Sequence, residues 1–512
     1  MTSYTGGVPR LDNDFRSETR ALVVEAFTWT PALEMAGEVA LTGINGHERN
    51  AFCHLAIPNP DEPPRFAFLE TLGIWRRELK IKRLVAILGA HGVEIAAPPA
   101  LSESALRDVQ AFVANAPSTF QALREYRYGS ARLGAGAAAS LAFTTRHSLP
   151  DVAAFRPLTN EYLRIAALAF EMTKVLIAGR RPPCIFTYNG RFAACLGIAE
   201  AARSFDVPLV IYETGATRER YELFRESPHN LAFISSEIRR YWSNAGPTEH
   251  AIAHEFFARK RARDDRDWKV FVDDQEPGAL PARPPGRRHI VFFTSSDYEM
   301  EYVGRESNGL FIDQQTAIEH LVRWASARSD VTLTIREHPH SREVQPENRA
   351  WLMRISAENV FVVHGESPVD SYALMDSADV VVSAGSTMGI EAAYAGRASI
   401  VVEPAYYSDL GCVYEPRTIG DLEALLEDPA LLPLPVEASL PVGYYLANYG
   451  IPYRYYEPTS LYTGKFLGTE LVYSPAWAER LRITPFARAV WRRFRPRWIA
   501  RQRVYAAGER AS

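Results

Sequence analysis

The stretch VVVSAGSTMGIEAAYAGRASIVVEP, residues 380–404, decides the fold. A continuous apolar run of β-branched residues reads as a strand buried on both faces. It ends in the small residues Ser383 to Thr387, and a helix starts at once. Gly396 punctuates that helix before the next apolar run, ASIVVEP (398–404). Strand, hydroxyl-rich turn, helix and strand make a βαβ unit, which calls for a parallel sheet covered by helices. Backbone N–H groups at the helix start, with the Ser383, Ser386 and Thr387 hydroxyls, form an anion cradle. Glu391 falls about one turn into the helix, within reach of a ribose hydroxyl. The alternative for this turn is simple N-capping by Ser386, worth about 1 kcal/mol.

Upstream, the same alternation continues. Apolar runs at HIVFFTSS (289–296), DVTLTIREHP (330–339), NVFVVHG (359–365) and DVVVSAG (379–385) read as strands, with a helix over 313–327 between the first two and one over 388–395 before the last run. IREHPHS (335–341) gathers Arg336, His338 and His340 where a strand ends, the edge at which α/β sheets bind ligands. A charge-assisted hydrogen bond from such a histidine to a phosphate is worth about 1.5–3 kcal/mol. FFTSSDYEMEY (292–302) offers Ser295 and Ser296 to a phosphate or nucleotide, or else a capped turn with Ser296 or Asp297 starting a helix.

The first half carries its own βα pattern. ALVVEAFT (21–28) reads as a strand, followed by a helix from Pro31 to Thr42 that stops at Gly43, and a strand over 51–55. Residues 101–180 read as mostly helical; then come CIFTYNG (184–190), a helix over 192–205 and PLVIYETG (208–215). TYNGR (187–191) and YETG (212–215) end neighbouring strands. Glu213, before a glycine at a strand end, is the carboxylate placed for general-base work, which contributes typically about 10²–10⁴-fold. Asn189 and Arg191 are expected to orient an acceptor or bind its acidic groups; an Arg191–Glu213 pair that merely stabilises the sheet edge competes with this. Glu34 and Glu38 share a helix face expected in solvent, with Glu34 able to look into a cleft. His47 and His54 read as structural or exposed.

Composition bounds the rest. The 512 residues are 47% hydrophobic and 23% charged, the balance of a soluble globular protein with more than one domain. A net charge of −4 gives no global basic field for nucleic acid. Four scattered cysteines, with no CxxC pair, indicate neither a zinc site nor a disulfide framework. The N-terminal residues show no apolar signal-peptide core and no run of about 18 apolar residues occurs, so a cytoplasmic protein is expected. The expected organisation is an N-terminal Rossmann-like α/β domain with a helical insertion (1–263), a linker (264–288), a C-terminal Rossmann-like α/β domain (289–440), and a crossover segment with a basic aromatic tail (441–512). VFVDD (270–274) mimics a metal-binding DxD site, but Asp273 and Asp274 fall in the proline-rich linker and read as solvated charge. GYYLANYGIPYRYYEP (443–458) is either a stacking surface for sugars or a crossover that buries aromatics, the second being favoured. The tail over 477–505 interleaves Trp477, Phe486, Trp491, Phe494 and Trp498 with arginines. It suits an anionic membrane interface at the inner face of the cell membrane, or a helix packed across the first domain.

The phrase SxxDSYALMDSADVVVSAGSTMGIEAAYAGRASIVVEP, with the upstream REHP and FFTSSDYE, resembles bacterial capsule and surface-polysaccharide glycosyltransferases of the GT-B fold. Its HP and S/T motifs are similar to those of sialyltransferases and Kdo transferases, which use CMP-activated sugars. The resemblance implies an α/β, GT-B-like architecture of two Rossmann-like domains facing a cleft, with His338, Ser386 and Thr387 on the donor phosphate and Glu213 as base. It departs from the sialyltransferases at Thr214, where they carry a second acid. It implies a metal-independent, inverting transfer with no cofactor. The co-substrate would be a nucleotide-sugar, CMP-linked in slight preference, and the acceptor a glycan or lipid-linked glycan. A polyol-phosphate transferase, a nucleotide-sugar epimerase of the same fold and a catalytically silent assembly scaffold are the alternatives.

Overall fold

A computed structural model describes residues 20–43, 49–57, 67–264, 275–296, 309–339, 349–460 and 463–471. His47, Asp273, Asp274, Asp297, His340 and the tail over 477–505 lie outside the described residues. The chain divides into two compact units, Met1–Pro228 with Gly450–Ser512, and His229–Tyr449. Each holds a largely or wholly parallel sheet with helices, so the two Rossmann-like α/β units expected from the sequence are present.

In the first unit the parallel strands are β1 (Leu22–Glu25), β2 (Ala51–His54), β3 (Ile185–Tyr188) and β4 (Leu209–Thr214), with α1 (Ala32–Thr42) after β1 and α2 (Ala67–Ala90) after β2. The helical insertion between β2 and β3 continues as α3 (Glu103–Ala114), α4 (Phe120–Glu125), α5 (Leu133–Thr145) and α6 (Arg156–Arg180); α7 (Ala193–Ser204) joins β3 to β4. Ser102 and Thr119 cap α3 and α4 through their hydroxyls. An antiparallel strand β5 (Arg220–Phe224) extends the sheet, which the sequence reading did not include.

The second unit opens with α8 (Leu231–Trp242) and α9 (Pro247–Arg261), followed by β6 (Arg288–Phe293), α10 (Gln314–Ser326), β7 (Val331–Arg336), β8 (Val360–Val363), α11 (Ser371–Asp376), β9 (Val380–Ser383), α12 (Thr387–Tyr394), β10 (Ala398–Val401), α13 (Ile419–Glu427) and α14 (Leu440–Asn448). Its five strands are all parallel, in the order β10-β9-β6-β7-β8. Alternate strand residues point to opposite faces. Ile290, Phe292, Val380 and Val382 therefore enter one core while Val291, Phe293 and Val381 enter the other. Both faces are covered, which is why these strands read as unbroken apolar runs.

Two boundaries differ from expectation. The break expected after residue 263 falls at Pro228, because α8 and α9 pack with α14: Ala253, Leu440 and Tyr444 share one buried cluster. The described part of the expected linker belongs to the second unit as well. Gln275 is buried and its Oε1 accepts the Ser371 N–H at 2.8 Å, the Gly278 N–H reaches Asp370 Oδ2 at 2.8 Å, and Arg263 pairs with Asp370 at 2.9 Å. Gln275 and Gly278 are thus tied to the start of α11 and are not part of a free connection.

The tyrosine-rich segment is where the chain returns. Tyr444 and Tyr445 are buried in the second unit; beyond Tyr449, β11 (Ile451–Pro452) pairs antiparallel with β5 of the first. Glu38 receives this return: its carboxylate accepts the N–H groups of Arg454, Tyr455 and Tyr456 at 2.7, 2.9 and 3.1 Å. A small sheet of β12 (Tyr456–Pro458), β13 (Gly464–Phe466) and β14 (Thr469–Glu470) follows. Burial of Tyr444, Tyr445 and Tyr456 agrees with the crossover reading of these aromatics. No helix among the described residues is long and apolar enough to cross a membrane.

Candidate functional site

In the second unit, chain order runs from β6 outward to β7 and β8 on one side, and to β9 and β10 on the other. The reversal falls between β6 and β9, and ligands of open α/β sheets bind outside the carboxyl ends of the strands at such a point. Ser295 and Ser296 follow β6, the turn into α12 follows β9, and His338 follows β7.

The turns after β6 and β7 meet. Thr294 Oγ1 accepts the His338 N–H at 2.7 Å, and Ser296 Oγ lies 3.5 Å from His338 Nδ1. The Ser295 N–H donates to Oε1 of Gln314, the first residue of α10, at 2.6 Å. His338, Ser295 and Ser296 are half-buried, open enough for a ligand and held by neighbours. Across the reversal, Ser386 caps α12 with Oγ 3.4 Å from the Met388 N–H, and Thr387 is exposed at the first helical position. The cap and the cradle are one turn, so capping does not exclude an anion at the remaining N–H groups.

Other expected donor residues serve as supports. Arg336 is 1% exposed, and its guanidinium donates to the carbonyls of His364 (2.6 Å), Val369 (3.4 Å) and Ser367 (3.5 Å) and to Ser371 Oγ (3.3 Å). It fixes the loop after β8 instead of presenting charge at the strand end. Ser383 is fully buried beside Tyr407, whose hydroxyl is 3.5 Å from Ser383 Oγ and donates to the Ser386 carbonyl. Glu391 accepts the Tyr372 hydroxyl at 2.7 Å, and burial raises its carboxyl above the usual carboxylate range.

In the first unit the reversal lies between β1 and β3. At β3's end Asn189 adopts φ 54°, a left-handed conformation that asparagine tolerates, and Gly190 follows at φ 75°. That turn aims Asn189 Nδ2 at Glu213 Oε2, 2.5 Å away on the neighbouring strand. Glu213 Oε1 accepts the Thr214 N–H at 2.9 Å and its hydroxyl at 3.2 Å. Thr214 thus helps to fix the orientation of this carboxylate. Arg191 lies over the Phe192 ring, 4.6 Å from its centroid.

Glu34 and Glu38 depart from expectation, and two further groups, Glu25 and His54, are buried at strand ends. Glu34 and Glu38, expected on a solvent face, are 3% and 1% exposed. Glu34 Oε1 pairs with Lys80 at 2.8 Å, and Lys80 also donates to Thr28 O (2.8 Å) and Thr30 Oγ1 (2.9 Å). Glu25, the last residue of β1, accepts the Ala26 and Phe27 N–H groups and the Tyr212 hydroxyl, yet burial pushes its carboxyl up to about 7. The signal for Glu25 was present: it is the single acid within the apolar run ALVVEAFT. His54, at the end of β2, takes the Ala56 N–H on Nδ1, which makes it neutral with Nε2 donating to Phe27 O, and burial lowers it to about 4.

No protein-family model and no curated protein matches this sequence. Among solved structures, the chain is similar to KpsC, a beta Kdo 2,4 transferase of Thermosulfurimonas dismutans, at 13% identity and a TM-score of 0.36 over 51% of this chain and 79% of that one. It is similar to the UDP-GlcNAc 2-epimerase of Neisseria meningitidis at 10% identity and a TM-score of 0.27 over 83% and 97% of the two chains. The glycosyltransferase SnogD of Streptomyces nogalater matches at 14% identity and a TM-score of 0.23 over 84% and 96%.

Proposed function

We propose that the protein is a nucleotide-sugar-dependent glycosyltransferase acting on a bacterial surface-polysaccharide acceptor. The observation that carries this is the strand reversal in the second unit, bracketed by His338 with Ser295 and Ser296 on one side and by the Ser386–Thr387 turn on the other. Hydrogen-bond donors at a helix start and on an imidazole suit a phosphate leaving group. They stabilise the charge that develops as the glycosidic bond to phosphate breaks.

In this reading the second unit holds the nucleotide and the first holds the acceptor. Glu213 takes the proton of the acceptor hydroxyl as its oxygen attacks the anomeric carbon from the face opposite the phosphate, inverting the configuration. Asn189 and Thr214 hold that carboxylate in one orientation, and Arg191, two residues after Asn189, is offered for acceptor contacts. Arg336 and Ser383 support the donor edge from beneath, and Glu391 is offered to the ribose only if it exchanges Tyr372 for the sugar hydroxyl. The donor is a nucleotide-sugar, CMP-linked in preference, with no metal required by the groups named.

Calorimetric titration with CMP, UDP, GDP and CDP tests the donor half. Selective binding of one nucleotide, weakened in His338→Ala and Ser386→Ala, is expected; no binding of any would overturn the reading. Nucleotide release that needs an acceptor identifies a transferase, whereas sugar interconversion without one identifies an epimerase.

A further inference from the structure

We infer that Arg349 is a positioning residue for His338, acting through the carboxylate of Glu337; this rests on the donor-binding role proposed for His338. Glu337 follows β7 directly, and its carboxylate is almost fully buried. Arg349 grips it with two nitrogens, Nε at 2.6 Å from Oε1 and Nη2 at 2.5 Å from Oε2. The Gly365 N–H adds a third bond to Oε2 at 2.9 Å, and His364 Nδ1 stands 3.5 Å from the same oxygen. The other side of the guanidinium holds Glu366 at 2.8 and 3.1 Å, and that contact brings the Glu366 carboxyl down to about 2. One arginine therefore ties the segment after β7 to the segment after β8.

The backbone at His338 is fixed from three directions. The Thr294 N–H donates to Arg336 O at 3.1 Å, the His338 N–H donates to Thr294 Oγ1, and the Glu337 N–H donates to Val363 O at 2.9 Å. With Glu337 clamped as well, the imidazole has only its own torsions to settle, and Ser296 meets it at 3.5 Å. A fork-shaped guanidinium makes this clamp directional in a way that a lysine does not. The arrangement also sets charge. Among the described residues the groups around this turn are Arg336, Glu337, Arg349, His364 and Glu366, so removing Arg349 leaves two carboxylates against one arginine, a net negative charge, while neutralising Glu337 leaves two arginines against one carboxylate, a net positive charge. The two changes must move the titration of His338 in opposite directions.

The test uses the full chain, with ¹⁵N-histidine NMR for the His338 titration midpoint and calorimetry with CMP and UDP. Arg349→Ala is expected to raise the midpoint and Glu337→Gln to lower it. Both should weaken the nucleotide that the wild type binds by about tenfold, while Glu366→Gln, which keeps the Glu337 grip, stays within about twofold. Unchanged midpoints, or midpoints moving in the same direction, overturn the inference. A wild type that binds neither nucleotide fails the proposed function instead, and the midpoints still decide the role of Arg349. Should Arg349→Ala not fold, Arg349→Lys replaces it: charge is kept and the fork is lost, so the midpoint should stay while binding weakens. Wild-type affinity in that variant also overturns the inference.

Discussion

Asn189 donates its side-chain amide to Glu213 across adjacent strands at 2.5 Å, from a backbone held at φ 54°. The contact needs both the left-handed turn and the amide, and substitutions separate them. Asn189→Gly keeps the turn and removes the amide; turnover should fall about tenfold, or about 1.4 kcal/mol of transition-state stabilisation. Glu213→Gln should cost about 10²–10⁴-fold, the range of a lost general base, with nucleotide affinity unchanged. Steady-state rates alongside calorimetry check both, and a fully active Glu213→Gln would remove it from the mechanism.

The difference between what was legible in the sequence and what was not follows one rule. Strands such as 289–296 and 379–385 were readable because both of their faces are covered, so hydrophobicity alone marks them. The turns after them were readable because Ser296, His338 and Ser386 fall within a few residues of the ends of apolar runs, among other polar or small residues. What failed was anything settled by a distant partner. Arg336 looks like a phosphate ligand until the carbonyls of His364 and Val369 occupy it. Glu38 has solvent spacing on α1 until a segment more than four hundred residues later delivers three N–H groups to it. Antiparallel β5 failed for a different reason: its partner β4 is close in sequence, but the strand carries no distinctive periodicity.

Burial of the Glu34–Lys80 pair predicts an asymmetry between single and double replacement. Both side chains are about one-twentieth exposed, and Glu34 Oε2 has no hydrogen-bond partner among the described residues. Lys80→Met strands a buried carboxylate and should destabilise by about 3–5 kcal/mol. Glu34→Leu combined with Lys80→Met removes both charges and should cost distinctly less. Urea unfolding of the three proteins measures this, and a double variant no more stable than the single would show that the pair is not coupled.

Glu25 and His54 predict opposing pH dependences. Glu25 rises from its ordinary 4.5 to about 7 on folding, so the folded chain keeps a proton that the unfolded chain has lost. Stability from this group is present below pH 4.5 and is lost as pH rises to about 7. His54 falls from 6.5 to about 4, so the unfolded chain takes up the proton first and stability is lost as pH falls from 6.5 to about 4. Each is worth about 3 kcal/mol at full effect, and over the shared window they offset. Relative to wild type, Glu25→Gln should therefore gain stability as pH rises from 4.5 to 7, and His54→Asn should gain it as pH falls from 6.5 to 4. Denaturant midpoints across pH 4–8 read both; parallel curves for wild type and Glu25→Gln would show that Glu25 titrates normally.

The turn after β9 owes its shape to Gly389. A Cβ there would lie 2.5 Å from both Ser383 Oγ and the Tyr407 hydroxyl, so α12 can sit this close to the strand only without a side chain at that position. Tyr407 in turn donates to the Ser386 carbonyl, so an atom pushing it away also loosens the residue that caps α12. Gly389→Ala should cost about 1–3 kcal/mol, as overpacking of a filled core does, and should weaken nucleotide binding as well. Deleting the two hydroxyls that crowd the site, with Ser383→Ala and Tyr407→Phe, should recover part of the stability in the Gly389→Ala background. It should not recover the binding, because the bond from Tyr407 to the Ser386 carbonyl is then gone. Stability and affinity returning together would mean that the turn is shaped by steric fit alone and that the Tyr407 hydroxyl has no part in holding the cradle.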